Sequence, residues 1–218
     1  NPRGYKKWFE SRMGRSLHEE RSRIAGKITC SVEEVHLYQT RTTLQRVVQI
    51  LKHHRDIMFE DDPDIAPISI ILTTLAARAY DQSYGVFDAL SHILTHMDEF
   101  IEKRNGVWHI DNPVAPGENF ADKWELEPEK AQAFFRWLEA ARSDLVTDLV
   151  AANGIDGLAV VMEKSLGDVY PARAIGRYGT SLNKKRKTHK LYSTAAGIST
   201  IATSAAKAVP NHSFYGRG

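Results

Sequence analysis

A single cysteine, Cys30, stands among 218 residues. It excludes an internal disulfide framework and a cysteine-rich zinc site, and it fits a reducing, cytoplasmic location. No stretch reaches the roughly 18 to 20 consecutive apolar residues of a membrane-spanning helix, so no membrane partner is expected. The start, Asn1-Pro2-Arg3-Gly4-Tyr5, lacks both an initiator Met and the apolar stretch of a secretory signal. A truncated or cleaved product is the expectation from that start. No internal repeat is present, and the most basic stretch has no aromatic residues interleaved with its charges.

Hydrophobic residues make up 42% of the chain, enough at this length to bury a core in one ordinary domain or two small ones. The net charge of +2 hides an asymmetry. From Lys164 onward there are ten Lys and Arg against the single acid Asp168, so the tail carries +9 and residues 1–163 carry −7. A basic tail of this kind tracks phosphates or an acidic protein face over about a Debye length, 8 to 10 Å at physiological salt.

Helical periodicity dominates. Ser31 and Glu34 have the spacing of a capping box, and Val35, Leu44, Val47, Val48 and Leu51 then share one face, which predicts a long helix reaching about Phe59. The acidic stretch Glu60-Asp61-Asp62-Pro63-Asp64 breaks it. A second helix, starting near Pro67, is expected to bury Ile71, Leu72, Leu75 and Ala79. Phe87, Leu90, Ile93, Leu94, Met97, Phe100 and Ile101 form a third stripe, stopped by Asn105-Gly106. Val107-Trp108-His109-Ile110 reads as a strand or extended connection. Pro128 opens another helix with Phe134, Phe135, Leu138, Leu145 and Leu149 inward, ended by Asn153-Gly154, and a short helix follows around Leu158, Val161, Met162 and Leu166. Beyond Gly167 the periodicity fades into a Gly, Ser, Thr and Lys rich tail that is expected to be partly mobile. The fold class is therefore mainly α: a helical bundle with a short extended segment and a basic tail.

Three segments in this order carry a family resemblance: Leu44 to Lys52, Pro67 to Leu75, and Asp111-Asn112-Pro113 leading to Gly117-Glu118-Asn119-Phe120. Together they resemble the helical half of a template-independent nucleotidyltransferase. Bacterial cyclic oligonucleotide synthases of antiphage defence carry such a half, as do cyclic GMP-AMP synthase and the oligoadenylate synthases of animals. The resemblance covers about two thirds of the chain and is strongest from Leu44 to Trp124. The family's catalytic signature, a Gly-Ser pair followed by Asp-x-Asp on a strand, is not matched, because no Gly-Ser dipeptide occurs. The resemblance thus implies the C-terminal lobe of a nucleotidyltransferase with no catalytic or metal-binding residue of its own. Residues 1–30 would connect to a catalytic lobe outside the chain, with Trp8-Phe9 anchored on that lobe. Residues 31–167 would form the helical lobe and residues 168–218 the tail. In the intact enzyme the missing aspartates would hold magnesium ions, nucleoside triphosphates would be the substrates, and the isolated chain would be inactive.

In the family, a lysine on the first of these helices and a serine opening the next hold nucleotide phosphates. Lys52 and Ser69 match those positions. A flexible ammonium supplies a point charge to a polyphosphate, and a hydroxyl at a helix start adds a directional donor. Arg46, His53, His54 and Arg55 on the same helix are weaker candidates for added charge, with core or surface positions the better account of the histidines. Adjacent histidines face different sides of a helix, unlike the i, i+4 pair of a helical metal site. Asp62-Pro63-Asp64 has Asp-x-Asp spacing but joins two helices and carries a proline, so it reads as a solvated loop.

Asn112 and Asn119 belong to a loop that contacts the catalytic sheet in the resembling enzymes. Turn chemistry is the default account of them, with Trp124 packing the loop down. Lys184, Lys185, Arg186 and Lys187 form a basic patch, read first as a solvated loop and second as a nucleic-acid contact. Some relatives are joined through their C-terminus to other proteins by companion ubiquitin-like transfer enzymes, a chemistry that Gly218 would suit. A rival reading is a non-catalytic helical interaction module that binds a protein partner or nucleic acid. A tRNA-type or antibiotic nucleotidyltransferase is a third.

Overall fold

Thr42 caps the helix at the centre of the packed core. Its hydroxyl accepts from the Gln45 amide and the Gln45 side chain accepts from the Thr42 amide, a reciprocal capping box. The computed structural model describes residues 1–28, 42–152, 154–194, 197–202, 204 and 206–210. Among them are eight α-helices and two small antiparallel sheets, so the expected mainly α class holds. The chain divides into two compact units, Asn1–Leu166 and Gly167–Gly218.

In the first unit α1 spans Pro2–Ile28, α2 Thr43–Met58, α3 Ser69–Ala79 and α4 Val86–His96. Helix α2 touches α3, α4, α5 and α7, where α5 is Pro128–Arg142 and α7 is Gly154–Leu166. It occupies this position because Leu44, Val47, Val48 and Leu51 recur at helical spacing and are buried. Each such side chain contributes about 1.5–3 kcal/mol on leaving water. Ile71, Leu72, Leu75 and Ala79 of α3 and Phe134, Trp137 and Leu138 of α5 meet that stripe in one core.

Several sequence expectations change here. The long helix from Ser31 does not form, because Thr42 is extended and the helix begins at Thr43; the Ser31–Glu34 spacing and Val35 lie outside the described residues. Trp8 and Phe9 are partly buried and pack against this chain's own core. Helix α1 bends at Gly14, whose φ of +45° suits a residue without a Cβ. Asn105-Gly106 does not stop a helix. Helix α4 ends at His96, a 3-10 turn runs through Phe100, and Asn105-Gly106, both at positive φ, turn the hairpin of β1 (Glu102–Arg104) and β2 (Val107–His109). Asn-Gly is the dipeptide that such a two-residue turn favours. Phe87, placed on the buried stripe by its spacing, is 43% exposed.

Helix α5 starts as expected, with Pro128 in its first turn, and passes through a π-helical segment, Ser143–Thr147, into α6 (Asp148–Ala151). The expected stop at Asn153 lies outside the described residues.

The second unit also departs from the sequence reading. Helix α8 (Val169–Lys187) continues where the periodicity fades. Its surface is mostly exposed, so no apolar stripe marks it, while Ala, Arg, Leu and Lys favour helix without one. A three-stranded antiparallel sheet follows, in the order β4 (Gly197–Ser199), β3 (Tyr192–Thr194), β5 (Lys207–Ala208).

Candidate functional site

On α2, Arg55 and Asp56 stand three and four residues after Lys52, and Phe59, the C-cap, stands four and three residues after them, so the four cluster on one side of the helix. Opposite the last turn of α2 stands the start of α3. Between them opens a cleft of about 530 Å³, lined by Arg55, Asp56, Phe59, Glu60, Ile68 and Ser69, among others. Ser69 is the first residue of α3 and is exposed, and its neighbour Ile68 provides no side-chain cap for the helix. A helix start left uncapped in this way presents amide donors and a partial positive charge.

Arg55 ties the two helices together. Its guanidinium donates to the Pro67 carbonyl, to the Ser69 hydroxyl at 3.3 Å and to Asp56 at 2.6 Å. Lys52 makes no hydrogen bond or ion pair among the described residues. Burial of its stem, and then the charge of Arg55, hold its pKa below the usual lysine value, with Asp56 opposing. Lys52 does not line the cleft itself but stands one turn before Arg55 on α2. Lys52 and Ser69 stand on adjoining helices, and Arg55, one of the weaker sequence candidates, bonds to Ser69 across them.

The other candidates on α2 separate. Arg46 is exposed. The Nε2 atom of His53 lies 2.8 Å from the Leu166 carbonyl and fastens α2 to the end of α7. His54 is a core residue, 3% exposed, with Nε2 3.3 Å from Asp144 and its ring edge-on to Trp137. Burial lowers its pKa, against the pull of Asp144, and the imidazole is neutral. Asp144 also accepts from Lys164 at 3.0 Å. The two bonds outweigh the burial that would raise this carboxyl, and its pKa falls below the usual carboxylate range. No sequence pattern could have found this network, because its members lie on α2, the π-helical segment and α7.

Asn119 is a staple of its loop. Its side-chain oxygen accepts from the amides of Ile110 at 2.8 Å and Ala121 at 2.9 Å, and its amino group donates to the Trp108 carbonyl at 2.8 Å. Asn112 accepts from the Val114 amide and donates to Glu118. Trp124 is buried beneath the loop, with Trp108 and Phe134 against it. Two further arginines hold backbone: Arg12 donates to the carbonyls of Ala77 and Arg78 at the end of α3, and Arg78 to that of Asp111.

Asp61, Asp62 and Asp64 are exposed between α2 and α3. Among the described residues no three metal-ligating side chains come together. Lys184, Lys185, Arg186 and Lys187 do not form a loop but the last turn of α8, where cations complement the negative end of the helix. Arg186 donates to Asn183. Among the described residues no helix is long and apolar enough to cross a membrane.

No protein-family model matches the chain. It is 32% identical over 188 residues to a c-di-GMP synthase of Roseivirga ehrenbergii, across 85% of this chain and 49% of that protein. The two are distant homologues, and the chain spans about half the length of the curated relative it matches.

Proposed function

We propose that this chain is the C-terminal helical portion of a nucleotidyltransferase that makes cyclic dinucleotides, and that Lys52, Arg55 and Ser69 contact the phosphates of a bound nucleoside triphosphate. The similarity to a c-di-GMP synthase over 85% of the chain carries this reading. The cleft between α2 and α3 supports it physically. A guanidinium and an uncapped helix start with a hydroxyl at its first residue line the cleft and suit a polyphosphate, and the partly buried Lys52 stands one turn away on α2.

In this reading residues 31–167 are the helical lobe, and the transfer chemistry belongs to a catalytic portion outside the chain, which would also hold the magnesium. The residues of this chain do not fit a metal role at the cleft. Asp56 is engaged by Arg55, and the acidic residues beyond α2 are dispersed on an exposed loop. What the chain supplies is orientation: Lys52 neutralises phosphate charge, Arg55 fixes the α3 start against α2, and Ser69 donates from a defined position. A role in antiphage defence and attachment of a companion protein at the C-terminus extend the same proposal.

The test uses the full-length protein with Mg²⁺ and the four nucleoside triphosphates. A cyclic dinucleotide is the expected product, with GTP consumed as the relative's name implies. Lys52→Ala is expected to raise KM for nucleotide about tenfold or more, the loss of one charge-assisted contact, with helical content unchanged. Unchanged product formation at limiting nucleotide would remove Lys52 from the site. Absence of any cyclic product would overturn the assignment.

A further inference from the structure

His92 and His96 stand four residues apart on α4, their ring centroids 4.4 Å from each other. Their side chains are 38% and 39% exposed, while Ile93 and Leu94 between them turn into the core. Each ring has a carboxylate on its Nδ1 side. His96 Nδ1 lies 2.8 Å from Glu99, and His92 Nδ1 lies 3.8 Å from Asp81. A carboxylate only accepts, so the Nδ1 of His96 carries the proton and, in the neutral ring, Nε2 offers its lone pair. A carboxylate behind an imidazole fixes that tautomer and the ring's orientation.

We propose that His92 and His96 form a two-nitrogen binding site for a divalent transition ion of the Zn²⁺, Ni²⁺ or Cu²⁺ class. Two histidines at i and i+4 present their rings from one helix face, as metal-binding helices do. The described residues bring no third ligating side chain to the pair, so water completes the coordination. Imidazole selects these ions over Mg²⁺ and Ca²⁺, which prefer oxygen. Because its two ligands stand one turn apart, the ion clamps the last turn of α4. The site is separate from the cleft between α2 and α3 and does not depend on the function proposed for it.

Cu²⁺ titration followed by electron paramagnetic resonance, with thermal unfolding in Ni²⁺ or Zn²⁺, tests the proposal on the full chain. The expected spectrum contains a component with two nitrogen ligands that saturates with Cu²⁺. His92→Gln and His96→Gln, both at half-buried positions, are each expected to weaken that component at least tenfold. Ni²⁺ or Zn²⁺ should raise Tm in the unaltered chain and not in the double variant, and Mg²⁺ in neither. Comparison with the double variant isolates the pair from the other histidines. Copper binding unchanged in the double variant overturns the site, as does the absence of saturable binding of all three ions.

Discussion

The Arg55 guanidinium donates to the Ser69 hydroxyl at 3.3 Å and to the Pro67 carbonyl, binding the last turns of α2 to the approach and first turn of α3. The two partners differ in what they risk. Arg55 is mostly buried at its side chain and Ser69 is exposed. Arg55→Ala is expected to cost about 1–3 kcal/mol, since the Pro67 carbonyl loses a charged donor, whereas Ser69→Ala should cost under about 0.5 kcal/mol. Urea unfolding measures both. If Ser69 also contacts nucleotide, Ser69→Ala weakens nucleotide binding in the full-length protein while leaving the unfolding midpoint in place.

His54 makes stability depend on pH. In the unfolded chain its imidazole takes a proton as pH falls through about 6.5, but in the fold burial lowers that pKa and the ring resists charging. The unfolded state therefore binds more protons between the two values. Its contribution is fully present above about pH 6.5 and is lost as pH drops through the window toward the folded value, with a slope of at most about 1.4 kcal/mol per unit. Unfolding free energies at about pH 7.5, 6.5 and 5.5 should fall less steeply in His54→Gln than in the unaltered chain. Parallel curves would assign the acid sensitivity elsewhere.

Asn119 uses one side chain to satisfy three backbone groups. Asn119→Ala strands the amides of fully buried Ile110 and Ala121 and the carbonyl of Trp108, at an expected cost of about 2–4 kcal/mol. Asn119→Asp keeps the oxygen that accepts both amides but sets a second carboxylate oxygen against the Trp108 carbonyl, so it should also destabilise the loop. A stability equal to that of the unaltered chain would remove the donation to Trp108 from the account. The fluorescence of Trp108 and Trp124, which meet with ring centroids 6.5 Å apart, follows the loop directly.

Trp137 is fully buried and its ring meets those of Phe134 and His54. Trp137→Ala is expected to cost about 3–5 kcal/mol, through lost transfer energy and the cavity left behind. Trp137→Phe should recover much of that, and it removes an indole N–H that has no partner among the described residues. Thermal unfolding of the two variants gives the comparison.

Periodicity determined much of this protein by itself. The stripes Leu44 to Leu51 and Ile71 to Ala79, and the start of α5 at Pro128, follow from spacing and from what proline permits in a first helical turn, which are local properties of the chain. The family resemblance singles out Lys52 and Ser69; spacing alone places them only on two successive helices. Only the tertiary structure set Arg55 between those helices, because its partners Pro67 and Ser69 come from the next element. Only packing turned His54 into a core residue opposite Asp144, 90 positions away in the chain. Asn105-Gly106 shows the limit of local reading. The dipeptide marks a turn, but cross-strand pairing of Glu102 with His109 makes that turn a hairpin. The sequence carries the period and the capping chemistry. Long-range contacts decide which polar groups meet, because no local rule encodes which distant side chain will satisfy a buried donor.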